Sequence, residues 1–163
     1  MISYISTKSD FVRECYDGLI EKSVLERYER TFGRRPAANE EASWKSSLGD
    51  AVFKVFSNPR YAIPDNLGIA VEYGVHGSTR PKRVDLMLSG IGHDGVPTVL
   101  VVELKQWSEV EPADEPDRLI AQISAKRHGS TVHPSLQAAH YAMVIEDYYS
   151  YAQENPIRIK SCS

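Results

Sequence analysis

The run Thr98-Val99-Leu100-Val101-Val102-Glu103-Leu104-Lys105 constrains this chain more than any other segment. It is apolar on both faces until its end, so it predicts a central strand covered on both sides, as in layered α/β folds. Residues i and i+2 of a strand share a face, so Glu103 and Lys105 are expected to point the same way, roughly 7 Å apart along the backbone. Charged groups at the end of such a strand need partners. Asp85 lies on the preceding strand, Arg83-Val84-Asp85-Leu86-Met87-Leu88, across a glycine-rich hairpin connection at residues 90–97. Pairing of the two strands would set Asp85 beside Glu103.

The rest of the chain alternates helices and strands. Ser9, with Asp10 after it, is placed as the N-cap of a first helical segment whose apolar stripe runs from Phe11 to Phe32 and stops at Gly33. Asn39 is placed as the cap of a second helix, with Trp44, Leu48, Val52, Val55 and Phe56 on its buried face and Asn58-Pro59 as its stop. Gly68–Tyr73 reads as a strand. After the strong strand, residues 108–117 read as an acidic mobile loop, 118–124 as a short edge strand and 126–130 as a basic turn. His133-Pro134 opens a last helix, with proline suited to the first helical position and His133 read as a cap. Ile157–Lys160 reads as a final strand. The expected fold is therefore α/β (α+β): a mixed central sheet flanked by helices, in the order helix, strand, strand, strand, helix, strand. Residues 1–35 are expected as a helical segment packed on a core of residues 36–163, together one domain.

Composition narrows the setting. At 163 residues the chain can bury about two-thirds of its unfolded surface. Two cysteines, Cys15 and Cys162, are too few for a disulfide framework or a zinc site, which points to a reducing cytoplasm. No signal peptide is legible, and the longest apolar run is too short for a bilayer, so no membrane role is expected. A net charge of −3 counts mildly against tight, independent nucleic-acid binding.

Two carboxylates converging from adjacent strands repel each other unless a cation lies between them, and hard oxygen ligands with spare coordination positions suit Mg²⁺ or Mn²⁺. A cation so placed can activate water and neutralise a phosphate, while Lys105 orients that water and offsets transition-state charge. Asp85, Glu103 and Lys105 thus form a minimal set for hydrolysing phosphodiesters. The competing reading is structural: Asp85 paired with Lys105 and Glu103 with Arg83, as ion pairs at a frayed sheet edge.

Asp85 followed by Glu103-Leu104-Lys105 resembles the D…E-x-K core of the PD-(D/E)XK nuclease superfamily. Gln137-Ala138-Ala139-His140-Tyr141 resembles the Q-x-x-x-Y helix motif of its RecB-like branch. Residues i and i+4 share a helix face, about 6 Å apart, so Gln137 and Tyr141 can serve one site. The resemblance implies a restriction-endonuclease-like core, metal ligation by Asp85 and Glu103, and a supporting role beside the catalytic centre for Gln137 and Tyr141. The run Glu103–Ser108 and the stretch His133-Pro134-Ser135 are similar to a bacterial group that joins an amino-terminal nuclease-like domain to a helicase-like ATPase region. On that likeness the end of the chain within a strand suggests a piece of a larger polypeptide. No P-loop motif is present, so no ATPase activity is expected of this chain itself.

Departures from the pattern are specific. Val84 stands where the superfamily has proline, and no histidine precedes position 76, so any metal site must depend on carboxylates. A further acid is assigned first to Glu72 and second to Glu40 or Glu41, whose helix-start position also suits dipole compensation. Arg80, Lys82 and Arg83 in one loop, and Lys126 and Arg127 in another, are candidate phosphate contacts. The expected partner is DNA ahead of RNA. The alternative function is an inactive nuclease-like module for DNA binding or protein docking.

Overall fold

A computed structural model describes residues 2–75, 82–124 and 127–163. The chain runs β1 (Ile2–Thr7), α1 (Lys8–Tyr16), α2 (Ile20–Phe32), α3 (Ala38–Trp44), a π-helical stretch (Lys45–Val52), α4 (Phe53–Phe56), β2 (Gly68–Val75), β3 (Lys82–Ile91) and β4 (Pro97–Val102). It continues through β5 (Val110–Pro112), β6 (Arg118–Ser124), β7 (Arg127–Val132), α5 (Pro134–Tyr148), α6 (Ser150–Glu154) and β8 (Arg158–Cys162). A five-stranded sheet has the order β1-β2-β3-β4-β8, antiparallel except for the parallel pair β4/β8. A second, three-stranded antiparallel sheet has the order β5-β6-β7. No helix among the described residues is long and apolar enough to cross a membrane.

Two apolar cores lie on opposite faces of the larger sheet. One joins Phe11, Tyr28, Trp44, Leu48 and Phe56 to Ile69, Val71 and Leu86, with Val102 packed against it. The other joins Ala138, Tyr141 and Ile145 of α5 to Val75, Val84 and Val101. Val101 and Val102 therefore serve different cores, which is why the β4 sequence is apolar on both faces. The mixed α/β architecture, with β4 interior between β3 and β8, agrees with the reading of that segment.

Several boundaries differ from expectation. Residues 2–7 form a sheet strand, and Thr7, rather than Ser9, caps α1 by accepting from the Asp10 amide at 3.3 Å. The next helix begins one residue before Asn39, and Glu40 Oε2 closes its start by accepting from the Ala37 amide at 2.9 Å. Val55, placed on the buried face, is exposed. Trp44, Leu48, Val52 and Phe56 are all buried at a strict spacing of four. An α-helix of 3.6 residues per turn would rotate such a stripe away, and the wider π-helical turn keeps it on the core. The segment expected as an edge strand, β6, is central in the small sheet; the acidic loop contributes β5, and the basic turn gives way to β7.

Candidate active site

The site begins with a reversal of side-chain alternation in β2 and β3. Ile69 and Val71 face the first core, whereas Tyr73 and Val75, which regular alternation would place on that same face, pack in the second. On β3, Val84 lies in the second core but Leu86 and Leu88 in the first. Between these blocks Glu72 adopts φ 53°, a left-handed conformation rare for a residue with a Cβ. Regular pairing flanks the reversal on both strands, Val71 with Leu86 and Tyr73 with Val84. The two residues at the reversal are Glu72 and Asp85, and both line one open cleft. The cleft, about 430 Å³, is also lined by Glu40, Arg83, Lys105 and Tyr141.

β4 ends at Val102, one residue before the acid, although the Glu103 amide still donates to the Cys162 carbonyl at 3.1 Å. The Glu103 carboxylate is almost fully buried. Its Oε1 accepts from Gln137 Nε2 at 2.6 Å and pairs with Lys105 Nζ. Its Oε2 is buried with no donor among the described residues, and the Asp85 carboxyl lies within hydrogen-bonding reach of the Glu103 carboxyl. Asp85 Oδ2 accepts from the Leu104 amide at 2.9 Å, which fixes Asp85 against the same turn of chain. Burial, and then the charge of Asp85, push the Glu103 carboxyl up to about 7, with Lys105 opposing the rise. Burial also raises Asp85, opposed by the Leu104 amide and Lys105. In the absence of a cation the two carboxyls thus behave as a pair that resists double ionisation.

Glu72 is held differently. Its Oε1 accepts from Trp44 Nε1 at 3.0 Å and its Oε2 pairs with Arg83 Nε at 2.8 Å. Arg83 also donates to Glu40 Oε1 and to the Tyr28 hydroxyl. Burial raises the Glu72 carboxyl, against the Trp44 hydrogen bond and the Arg83 charge. Glu41 lies apart, paired with Arg35 at 3.0 Å. On α5, Gln137 Nε2 reaches both Glu103 and, at 3.4 Å, the Tyr141 hydroxyl, so the i and i+4 pair converges on the acid. His133 caps α5, its Nδ1 accepting from the Ser135 amide at 3.2 Å.

Asp85, Glu72, Lys105 and Tyr141 therefore line one cleft, and Glu103 and Gln137 adjoin it through Lys105 and Tyr141. Of the expected phosphate contacts, Arg83 turns inward to acids; Arg80 and Lys126 lie outside the described residues, and Lys82 and Arg127 begin β3 and β7. The expected structural pairs do not form as drawn: Lys105 joins Glu103, and Arg83 joins Glu72 and Glu40. Sequence reading treated Trp44 and Tyr28 only as core. The roles of their polar tips depend on where the strand reverses, which carries no residue signal.

Among the described residues no three His, Cys, Asp or Glu side chains form a ready-made metal cage. Asp85 and Glu103, whose carboxyls approach each other and of which one Glu103 oxygen is buried without a donor among the described residues, do fit an ion such as Mg²⁺, which commonly takes one or two carboxylates and completes its shell with water and phosphate. No protein-family model, curated protein or solved structure matches this chain.

Proposed function

We propose that this chain is a divalent-metal-dependent nuclease domain of the PD-(D/E)XK type, RecB-like in its Gln137–Tyr141 pair, hydrolysing phosphodiester bonds in DNA. The observation that carries the reading is the approach of the Asp85 and Glu103 carboxyls, with one Glu103 oxygen buried and without a donor among the described residues, next to an open cleft that Asp85 and Lys105 line. Two buried carboxylates side by side are costly when both are ionised, and either a shared proton or a bound cation removes that cost. Asp85 and Glu103 are the residues that would hold Mg²⁺ or Mn²⁺, which when bound supplies Lewis-acid polarisation of the phosphate and a more acidic water.

The chain's own groups account for the remaining roles. The Leu104 amide and Gln137 fix the orientation of the two acids. Lys105 lines the open cleft with its side chain partly exposed, where its ammonium can orient the attacking water and offset charge at the phosphate. Tyr141 braces Gln137 from the helix side. A helicase-like ATPase region is the proposed partner, on the likeness of Glu103–Ser108 and His133-Pro134-Ser135 to the bacterial group that joins such a region to a nuclease-like domain.

The same charge favours a second reading, a nuclease-like docking module without catalysis. Cleavage of labelled single- and double-stranded DNA with Mg²⁺ or Mn²⁺ separates the two. Nuclease action predicts cleavage by the unaltered protein and a loss of about a hundredfold or more in Lys105→Ala. Identical behaviour of the two proteins overturns it.

A further inference from the structure

We infer that the Arg83 guanidinium is a resident cation standing in place of a second metal ion, so that the cleft accommodates a single divalent ion, at Asp85 and Glu103. The inference deepens the nuclease reading and rests on it. Acids brought to one cleft must be neutralised, and this site does so in two ways. Glu40 and Glu72 are neutralised from within the protein. Arg83 donates through Nη2 to Glu40 Oε1 and through Nε, at 2.8 Å, to Glu72 Oε2. Their remaining oxygens accept from the Ala37 amide at 2.9 Å and the Trp44 indole at 3.0 Å. All four oxygens of this pair therefore have donors.

The guanidinium is itself braced. It donates to the Tyr28 hydroxyl and lies 5.1 Å from the Tyr28 ring centre and 5.6 Å from that of Phe32. A planar fork between two carboxylates with aromatic support is the use to which arginine is best suited. Asp85 and Glu103 show the opposite condition: one Glu103 oxygen is enclosed and no donor among the described residues reaches it.

Two-ion hydrolytic sites need cations about 3.5–4 Å apart, clamped by acids on both sides. The acids able to complete a second half here are Glu72 and Glu40, and the guanidinium lies across them. Arg83 lines the same cleft, so its fixed charge remains beside a bound phosphate.

Counting bound Mn²⁺ by calorimetry and electron paramagnetic resonance tests this in the full chain and in Glu72→Gln, Arg83→Ala and Asp85→Asn. The expected result is one ion in the unaltered protein. Glu72→Gln should keep that ion with affinity changed by less than about tenfold, the lower end of outer-shell effects. Asp85→Asn should weaken it by more than about a hundredfold, and Arg83→Ala should gain a second ion. Two ions in the unaltered protein, no gain in Arg83→Ala, or loss of the ion in Glu72→Gln overturns the inference while leaving the nuclease reading in place. No ion in any of the proteins overturns both. Glu72→Gln removes charge and almost no bulk, so it decides the matter even where Arg83→Ala does not fold.

Discussion

Glu72 within β2 and Glu103 just past the end of β4 sit in environments that a sheet does not ordinarily offer. A non-glycine residue in the left-handed region costs about 1–3 kcal/mol and persists only where its surroundings over-determine it. Trp44 and Arg83 supply that determination at Glu72. Glu103 carries a titration signature. Its carboxyl is raised from 4.5 to about 7, so the folded chain holds a proton that the unfolded chain has released. Stability from this group is complete below about 4.5 and is lost as pH climbs through about 7, and Asp85 is shifted in the same direction. The metal-free protein should therefore melt at progressively lower temperature between about pH 5 and 8, by about 2–4 °C for each kcal/mol lost. Saturating Mg²⁺, which competes with that proton, should restore most of the loss at the alkaline end. Calorimetric melts with and without Mg²⁺ check this, and a flat metal-free profile would contradict the assignment.

At the level of elements, the site is a meeting of the β2/β3 reversal, the end of β4 and one face of α5. Ala138 is fully buried where α5 rests on the sheet, between Gln137 and Tyr141 in the same helix. Ala138→Leu should cost about 1–3 kcal/mol by overpacking and displace both partners of the site, lowering DNA cleavage together with stability. Chemical denaturation and the cleavage assay read the two effects. A fully active, fully stable Ala138→Leu would mean that α5 does not set the site. The elements that converge here were legible because they obey simple rules: β4 in its two-faced apolar run, and α5 in its His133-Pro134 start. Those that were not legible break the same rules. In β1, Ser3 and Tyr4 are both buried while Ile5 is exposed, so no alternation of apolar and polar residues marks it. β7 carries Arg127, His128, Gly129, Ser130 and Thr131 before its single apolar residue, and only pairing with β6 makes it a strand. The extent of β4 was overread because Glu103 and Lys105 continue a strand-like pattern after the ladder to β3 has ended at Val102.

For the molecule as a whole, two cores on opposite faces share one sheet, and the cleft opens where the strands change which core they serve. Asp85 and Glu103 could be paired from sequence because hairpin neighbours must meet, but the reversal at Glu72 could not, since no residue type demands it. Nor could the pairing of Arg83 with Glu72 and Glu40, since in sequence Arg83 fits a phosphate contact or a partner for Glu103 equally well. The proposed chemistry depends on the convergence of two acids able to accept a cation. Diffraction from crystals soaked in Mn²⁺, read by anomalous scattering, tests that most directly. An anomalous peak is expected between the Asp85 and Glu103 carboxylates, with Glu103 Oε2 turned to it. An empty cleft at saturating Mn²⁺, with Glu103 still paired only to Lys105 and Gln137, would contradict it.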